Sequence, residues 1–138
     1  MSRIINTDST GKQRGQLTKA IAFALRQLAL QTEFGDEARD LAAFIALALK
    51  TIHDGIDPSV AAWEKRGYWV KADRFRMEWA WAAPTSTRMT AAVLQGDWTA
   101  VAQLSVQTAQ RLEGVQVSSH PRLGKPWLGA YARLKASD

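Results

Sequence analysis

The sequence predicts an all-α protein, an antiparallel bundle of four to five helices with an irregular C-terminal arm. Apolar residues recur at helical spacing along most of the chain, and no stretch alternates convincingly as a strand. Short turns at Gly35, at residues 55–57 and at Gly96 separate the helical stretches, which favours helices that pack in chain order. With 138 residues, the chain has the length of a single domain.

The first two predicted helices cover residues 12–31 and 36–54, and a polar lead-in over residues 1–10 precedes them. The apolar positions of the first helix recur at helical spacing and are Leu17, Ile21, Ala24 and Leu28. The second helix begins with acidic side chains, which the helix dipole favours at that end. Its segment LAAFIALAL is apolar on every side, so we expect this helix to be enclosed by the rest of the chain.

The most distinctive stretch is a predicted central helix over residues 58–83, which carries four of the six tryptophans. Asp57 and Pro58 form a helix-start signal, and the next proline is Pro84. At about 100° per residue, the apolar side chains of this helix fall on two separate faces, so it must be covered twice. We expect residues 36–54 and 58–83 to form the buried central pair, with the second face covered either by the same chain or by a second subunit.

Two shorter helices are predicted after the proline, at residues 86–95 and 97–113, with Gly96 ending the first and Asp97 capping the second. The expected inward stripe of the second is Trp98, Val101, Ala102, Ser105, Ala109 and Leu112. Residues 115–138 form the predicted arm, which contains a short helix. An exposed tryptophan would be costly, so we expect Trp127 to anchor the arm along the bundle.

Composition excludes several functional classes. The chain has no cysteine, which excludes disulfides, thiolate catalysis and cysteine-based metal sites. The N-terminus lacks the apolar core of a signal peptide, and no apolar run approaches the roughly 20 residues that span a bilayer. We therefore expect a soluble cytoplasmic protein with no membrane partner.

The sequence contains no motif that defines a reaction, a metal or a cofactor. The string STGK at residues 9–12 resembles the Ser-x-x-Lys motif of serine β-lactamases and the end of a phosphate-binding loop, but the remaining residues of both motifs are absent. His53, Asp54 and Asp57 have the spacing of a helix end with solvated acids, and neither histidine follows a glutamate by three residues. We therefore predict no metal site and no cofactor.

The formal charge of +5 is unevenly distributed, because both ends of the chain are basic and residues 33–56 are acidic. Candidate anion-binding residues near the C-terminus are Arg122, Lys125 and Arg133, which stand close to Trp127 and Tyr131 in the chain. Binding to nucleic acid or another polyanion is therefore one alternative function.

Charged and aromatic side chains of the central helix provide the other candidate site, a pocket or a subunit interface. Its residues are Trp63, Arg66, Trp69, Asp73, Arg74, Arg76, Glu78 and Trp81. A small-molecule pocket, with or without catalysis, is a second alternative function. The leading hypothesis is a non-enzymatic interaction or scaffold protein that forms a homodimer, in which Arg74 reaches Glu78 of a twofold partner.

Overall fold

A computed structural model describes residues 7–119 and 121–137 of the chain. Within these residues the protein is all-α, with seven helices and no strand. The helices are α1 (Thr7–Ala29), α2 (Asp36–Asp54), α3 (Ile56–Lys65), α4 (Trp69–Trp79), α5 (Ala82–Gln95), α6 (Trp98–Arg111) and α7 (Ala130–Ser137). Over these same ranges, no helix is both long enough and apolar enough to cross a lipid bilayer.

Helix α2 lies at the centre of the fold and packs against α1, α3, α5 and α7. Residues 41–49 are buried, except for Leu47, which is partly buried against the same core. The predicted enclosure of this helix is therefore confirmed. Its alanines allow α5 to approach closely, since the buried hydroxyl of Ser86 donates a 2.7 Å hydrogen bond to the carbonyl oxygen of Ala46.

The prediction of one continuous helix over residues 58–83 is wrong, because α3, α4 and the first residues of α5 share this stretch. Helix α3 ends where Gly67 takes a left-handed backbone conformation, with φ of +79°. The N–H of Gly67 donates to the carbonyl of Glu64 at 3.0 Å, and the N–H of Tyr68 donates to the carbonyl of Trp63 at 2.9 Å. This pair of bonds is a Schellman motif, which satisfies carbonyls that the helix leaves unpaired at its end.

The second interruption, at Ala80, follows from Pro84. Proline has no N–H, and its ring clashes with the carbonyl of the residue four positions earlier, which here is Ala80. Proline is tolerated in the first turn of α5, where backbone N–H groups have no intrahelical partner. The fourth predicted helix, 86–95, therefore begins earlier than expected, at Ala82.

The predicted central pair of residues 36–54 and 58–83 is also wrong. Helix α2 packs most extensively against α5 and α1, whereas α4 packs mainly against α3. The turn at Gly67 sends α4 back over α3, so the two form a helix pair beside the core. Most side chains of α4 remain exposed as a result.

The other helix boundaries agree with the sequence to different degrees. Helix α2 has the predicted bounds. Helix α1 begins at Thr7 rather than at residue 12 and ends at Ala29 rather than at residue 31. Residues 1–6 of the predicted lead-in lie outside the described residues. The predicted cap of α6 is confirmed, because the Asp97 carboxylate accepts a hydrogen bond from the N–H of Ala100 at 3.1 Å.

The C-terminal segment is attached to the core at two points. Trp127 is buried, with 2% of its surface exposed, and packs edge-on against Phe23 with ring centres 5.5 Å apart. The carboxylate of Asp40 on α2 accepts hydrogen bonds from the N–H groups of Gly129, at 3.2 Å, and Tyr131, at 2.9 Å. Negative charge is favoured at this start of α7. The burial expected of Trp127 is confirmed.

Candidate functional site

The inner face of the α3–α4 pair is held by contacts between rings and cations. Trp63 of α3 meets Phe75 of α4 edge-on, with ring centres 4.9 Å apart. The ammonium of Lys71 lies 4.7 Å from the Trp63 ring centre, and the guanidinium carbon of Arg14 lies 4.5 Å from that of Phe75. Burial lowers the pKa of Arg14, and the charge of Glu78 partly opposes this shift. These contacts attach the pair to α1 and fix the orientation of α4.

One ion pair between α3 and α4, extended by a second within α4, reinforces this arrangement. Arg76 donates two hydrogen bonds to the carboxylate of Glu64, at 3.2 and 3.3 Å, and lies 3.7 Å from the carboxylate of Asp73. The hydrogen bond to Glu64 is the main reason why the pKa of Arg76 is raised. All three side chains are accessible to water, so the network serves mainly to fix geometry and contributes little stability.

Four large exposed residues lie on α4 and at the position just before it, and we call them the corner patch: Tyr68, Trp69, Val70 and Met77. The exposed fraction of these side chains ranges from 52% for Tyr68 to 76% for Met77. Val70 and Met77 are seven residues apart and share one face of the helix. Clustered apolar side chains of this size on a surface are typical of contact sites for another molecule.

Three further residues of the predicted central-helix site, Arg66, Arg74 and Glu78, are exposed around the corner patch. Among the described residues, Arg74 has no carboxylate within 4 Å. The predicted charged residues therefore do not line an enclosed pocket. They form the charged border of an apolar surface.

Trp81 is separated from the corner patch because the chain turns at Ala80. Its ring stacks on that of Trp79, with centres 5.8 Å apart, and the guanidinium carbon of Arg111 lies 5.9 Å from its centre. The packing of α5 on α6 therefore determines the position of Trp81. It does not contribute to the surface that Trp69 occupies.

The three candidate anion-binding residues differ in their surroundings. The ammonium of Lys125 lies 4.0 Å from the carboxylate of Glu37, and Arg133 donates a 3.2 Å hydrogen bond to the carbonyl of Leu128. Arg122 is exposed. Two of the three cations are therefore engaged by the protein's own chain, which makes them weaker candidates for contacts with phosphate.

A surface cleft of about 740 Å³ runs between α2 and α5, and His53 is one of its lining residues. Lys50, His53 and Asp54 line one side, and Thr87 and Thr90 line the other. Across residues 7–119 and 121–137, no three histidine, aspartate or glutamate side chains come together as ligands for a metal ion. Lys50, His53 and Asp54 are open to water, which weakens the electrostatic effects on which catalysis depends.

Sequence reasoning missed an open apolar groove between α1 and α6. We call it the α1–α6 groove, and its main lining residues are Leu25, Leu28, Phe34, Trp98, Ala102 and Val106. Its volume is about 290 Å³. The Phe34 ring lies almost parallel to that of Trp98, with centres 4.8 Å apart and an angle of 11° between the planes.

The groove was missed because the prediction of the inward face of α6 is partly wrong. The face of α6 that enters the core consists of Val101, Leu104, Thr108 and Leu112. Ala102 and Ala109, which were expected to point inward, are exposed, and Trp98 and Ser105 are only half-buried. The apolar stripe of α6 is therefore wider than the surface that α1 and α5 cover.

Comparison with protein-family models, curated proteins and solved structures found no match to this chain.

Proposed function

We propose that the protein is a non-enzymatic helical interaction module that self-associates, and that the corner patch is its contact surface. The observation that carries the proposal is the exposure of Tyr68, Trp69, Val70 and Met77 on one ordered helix pair. Aromatic residues, methionine and arginine are enriched in the centres of protein interfaces, and the patch with Arg74 supplies all three.

The packing beneath the patch supports this role. Trp63, Phe75 and the Arg76–Glu64 pair hold α4 in place before any partner binds. A surface that is already ordered loses less conformational entropy on binding than a mobile one does. The α3–α4 pair thus presents its apolar side chains on a rigid support.

The two alternative functions have weaker support. The titratable groups of α4 are in contact with water, whereas catalytic groups are usually held in a cleft with strongly shifted pKa values. Polyanion binding would draw on Lys125 and Arg133, which already contact Glu37 and the Leu128 carbonyl.

The proposal is tested by measuring the mass of the protein in solution for the wild type and for Val70→Glu. Val70 is exposed and lies in the first turn of α4, where a negative charge is compatible with the helix. A carboxylate buried in an apolar contact costs several kcal/mol, and about 1.4 kcal/mol corresponds to a tenfold change in Kd. We therefore expect the dissociation constant to rise at least about 100-fold.

The matched control is Leu128→Glu, because Leu128 is also exposed but lies outside the corner patch. Light scattering at micromolar concentration should give at least twice 15.3 kDa for the wild type and the control, and 15.3 kDa for Val70→Glu. Circular dichroism should show equal helix content in all three. Equal masses for Val70→Glu and Leu128→Glu would contradict the proposal.

A further inference from the structure

We infer that the corner patch of one copy docks into the α1–α6 groove of a second copy. This inference rests on the proposed self-association and names the surface that receives the patch. The chain carries two separate apolar surfaces: one consists of projecting side chains, and the other is a depression.

The groove is an uncovered part of the apolar face of α6. Phe34 and Val106 at its border are 63% and 59% exposed, and Ala102, on the side of α6 that lines the groove, is also exposed. Helix α5 covers the other side of α6, and no described segment of the chain lies over the groove. Covering it would remove a contiguous apolar surface from water, which is the main driving force of association.

The size of the groove favours protein side chains over a larger ligand. Its volume of about 290 Å³ is just below the ~300–1,000 Å³ typical of small-molecule sites. One or two side chains such as Trp69 and Met77 match this space. The stacked rings of Phe34 and Trp98 offer an aromatic edge and face to an incoming indole, which is favourable beyond the burial of apolar area.

Charge distribution favours the same pairing. Exposed cations border the corner patch at Lys65, Arg66, Lys71 and Arg74, and they outnumber the exposed acids there, which are Asp73 and Glu78. At the other end of the proposed contact, Phe34 and Trp98 of the groove have exposed acids close to them in the sequence. These acids are Glu33, Asp36, Glu37 and Asp97. Glu37 and Asp36 have cationic neighbours of their own, at 4.0 and 3.4 Å, but both remain exposed. Opposite potentials of this kind orient two molecules and accelerate their encounter.

A twofold contact of α4 with its own copy is less favourable. It would bring two net positive borders together, and although Arg74 can reach Glu78 of the partner, the excess of like charge across the interface costs free energy. Docking the patch into the groove instead brings unlike surfaces into contact. Such a contact closes into a reciprocal dimer or a ring, or continues as a chain of molecules.

A mixing experiment tests the pairing with Val70→Glu in the patch and Ala102→Arg in the groove. Ala102 is exposed, and arginine is a good helix former, so α6 should keep its structure. The new arginine fills the groove and repels the basic border of the patch. Leu128→Arg is the matched control, and Val106→Arg repeats the test at a second position of the groove.

We expect each single variant to have a mass of 15.3 kDa and an equimolar mixture of the two to form a dimer of twice that mass. In the mixture, the intact patch of Ala102→Arg meets the intact groove of Val70→Glu. If Val70→Glu is monomeric but Ala102→Arg and Val106→Arg associate like the wild type, the inference is wrong and the proposed function stands. A mixture that stays monomeric across the concentration range also overturns the inference. A monomeric wild type overturns both.

Discussion

Replacing Trp127 by alanine tests how strongly the C-terminal segment is joined to the core. Trp127 has 2% of its surface exposed and contacts Phe23 of α1, and Asp40 of α2 holds the start of α7 only two residues further on. Replacing a buried tryptophan by alanine typically lowers the free energy of unfolding by about 3–5 kcal/mol, and this figure includes the loss of an aromatic pair. The whole free energy of unfolding of a domain is roughly 5–15 kcal/mol, so a large share of the stability would be lost.

The assay is thermal unfolding followed by circular dichroism. For a chain of this length, about 1 kcal/mol corresponds to a shift in Tm of roughly 3–5 °C, so we expect Trp127→Ala to lower Tm by about 10–20 °C. The control is Leu128→Ala, because Leu128 is the next residue in the chain and is 61% exposed. Truncation after Gly114 should lower Tm at least as much as Trp127→Ala. Equal Tm values for Trp127→Ala and Leu128→Ala would refute the reasoning.

Three further predictions concern α2, the turn before α4 and the interior of α1. Ala46→Asp places a charge without a partner at a fully buried position against Ser86. We therefore expect the free energy of unfolding, measured with urea, to fall by at least about 4 kcal/mol. An unchanged urea midpoint would contradict the burial of α2. Gly67→Ala should destabilise the protein by about 1 kcal/mol because φ is +79°. Gly15→Ala inside α1 should stabilise it by a similar amount. Neither glycine has an atom within 4 Å of an added Cβ, so two effects of the same sign would argue against the backbone explanation.

Local patterns were enough to predict α2 and its burial. LAAFIALAL is apolar on every side, and only a helix at the centre of a bundle can bury such a segment. The bounds of α2 followed from Asp36 at its start and Gly55 just after its end. The cap at Asp97 and the burial of Trp127 were predictable for the same reason, because each depends on one residue type at one position.

The break between α3 and α4 had a signal in the sequence that the prediction did not use. Lys65 and Arg66 immediately precede Gly67, and basic residues followed by glycine are typical of a helix C-terminus. The prediction instead continued one helix through Gly67 to residue 83. The turn at Gly67 allows α4 to cover part of α3, and the core partner of α2 becomes α5.

The groove could not be predicted from the sequence. The apolar stripe of α6 was visible, but how much of it α1 and α5 would cover depends on the angles between helices far apart in the chain. Phe34 and Trp98 are 64 positions apart, and nothing in either local pattern indicates that their rings stack. Likewise, the sequence placed Trp69 and Trp81 in one site, and the turn at Ala80 separates them.

In light scattering of the wild-type protein, we expect a mass that rises from 15.3 kDa to at least twice that value as the concentration increases through the micromolar range. A constant mass of 15.3 kDa throughout would contradict the proposed self-association.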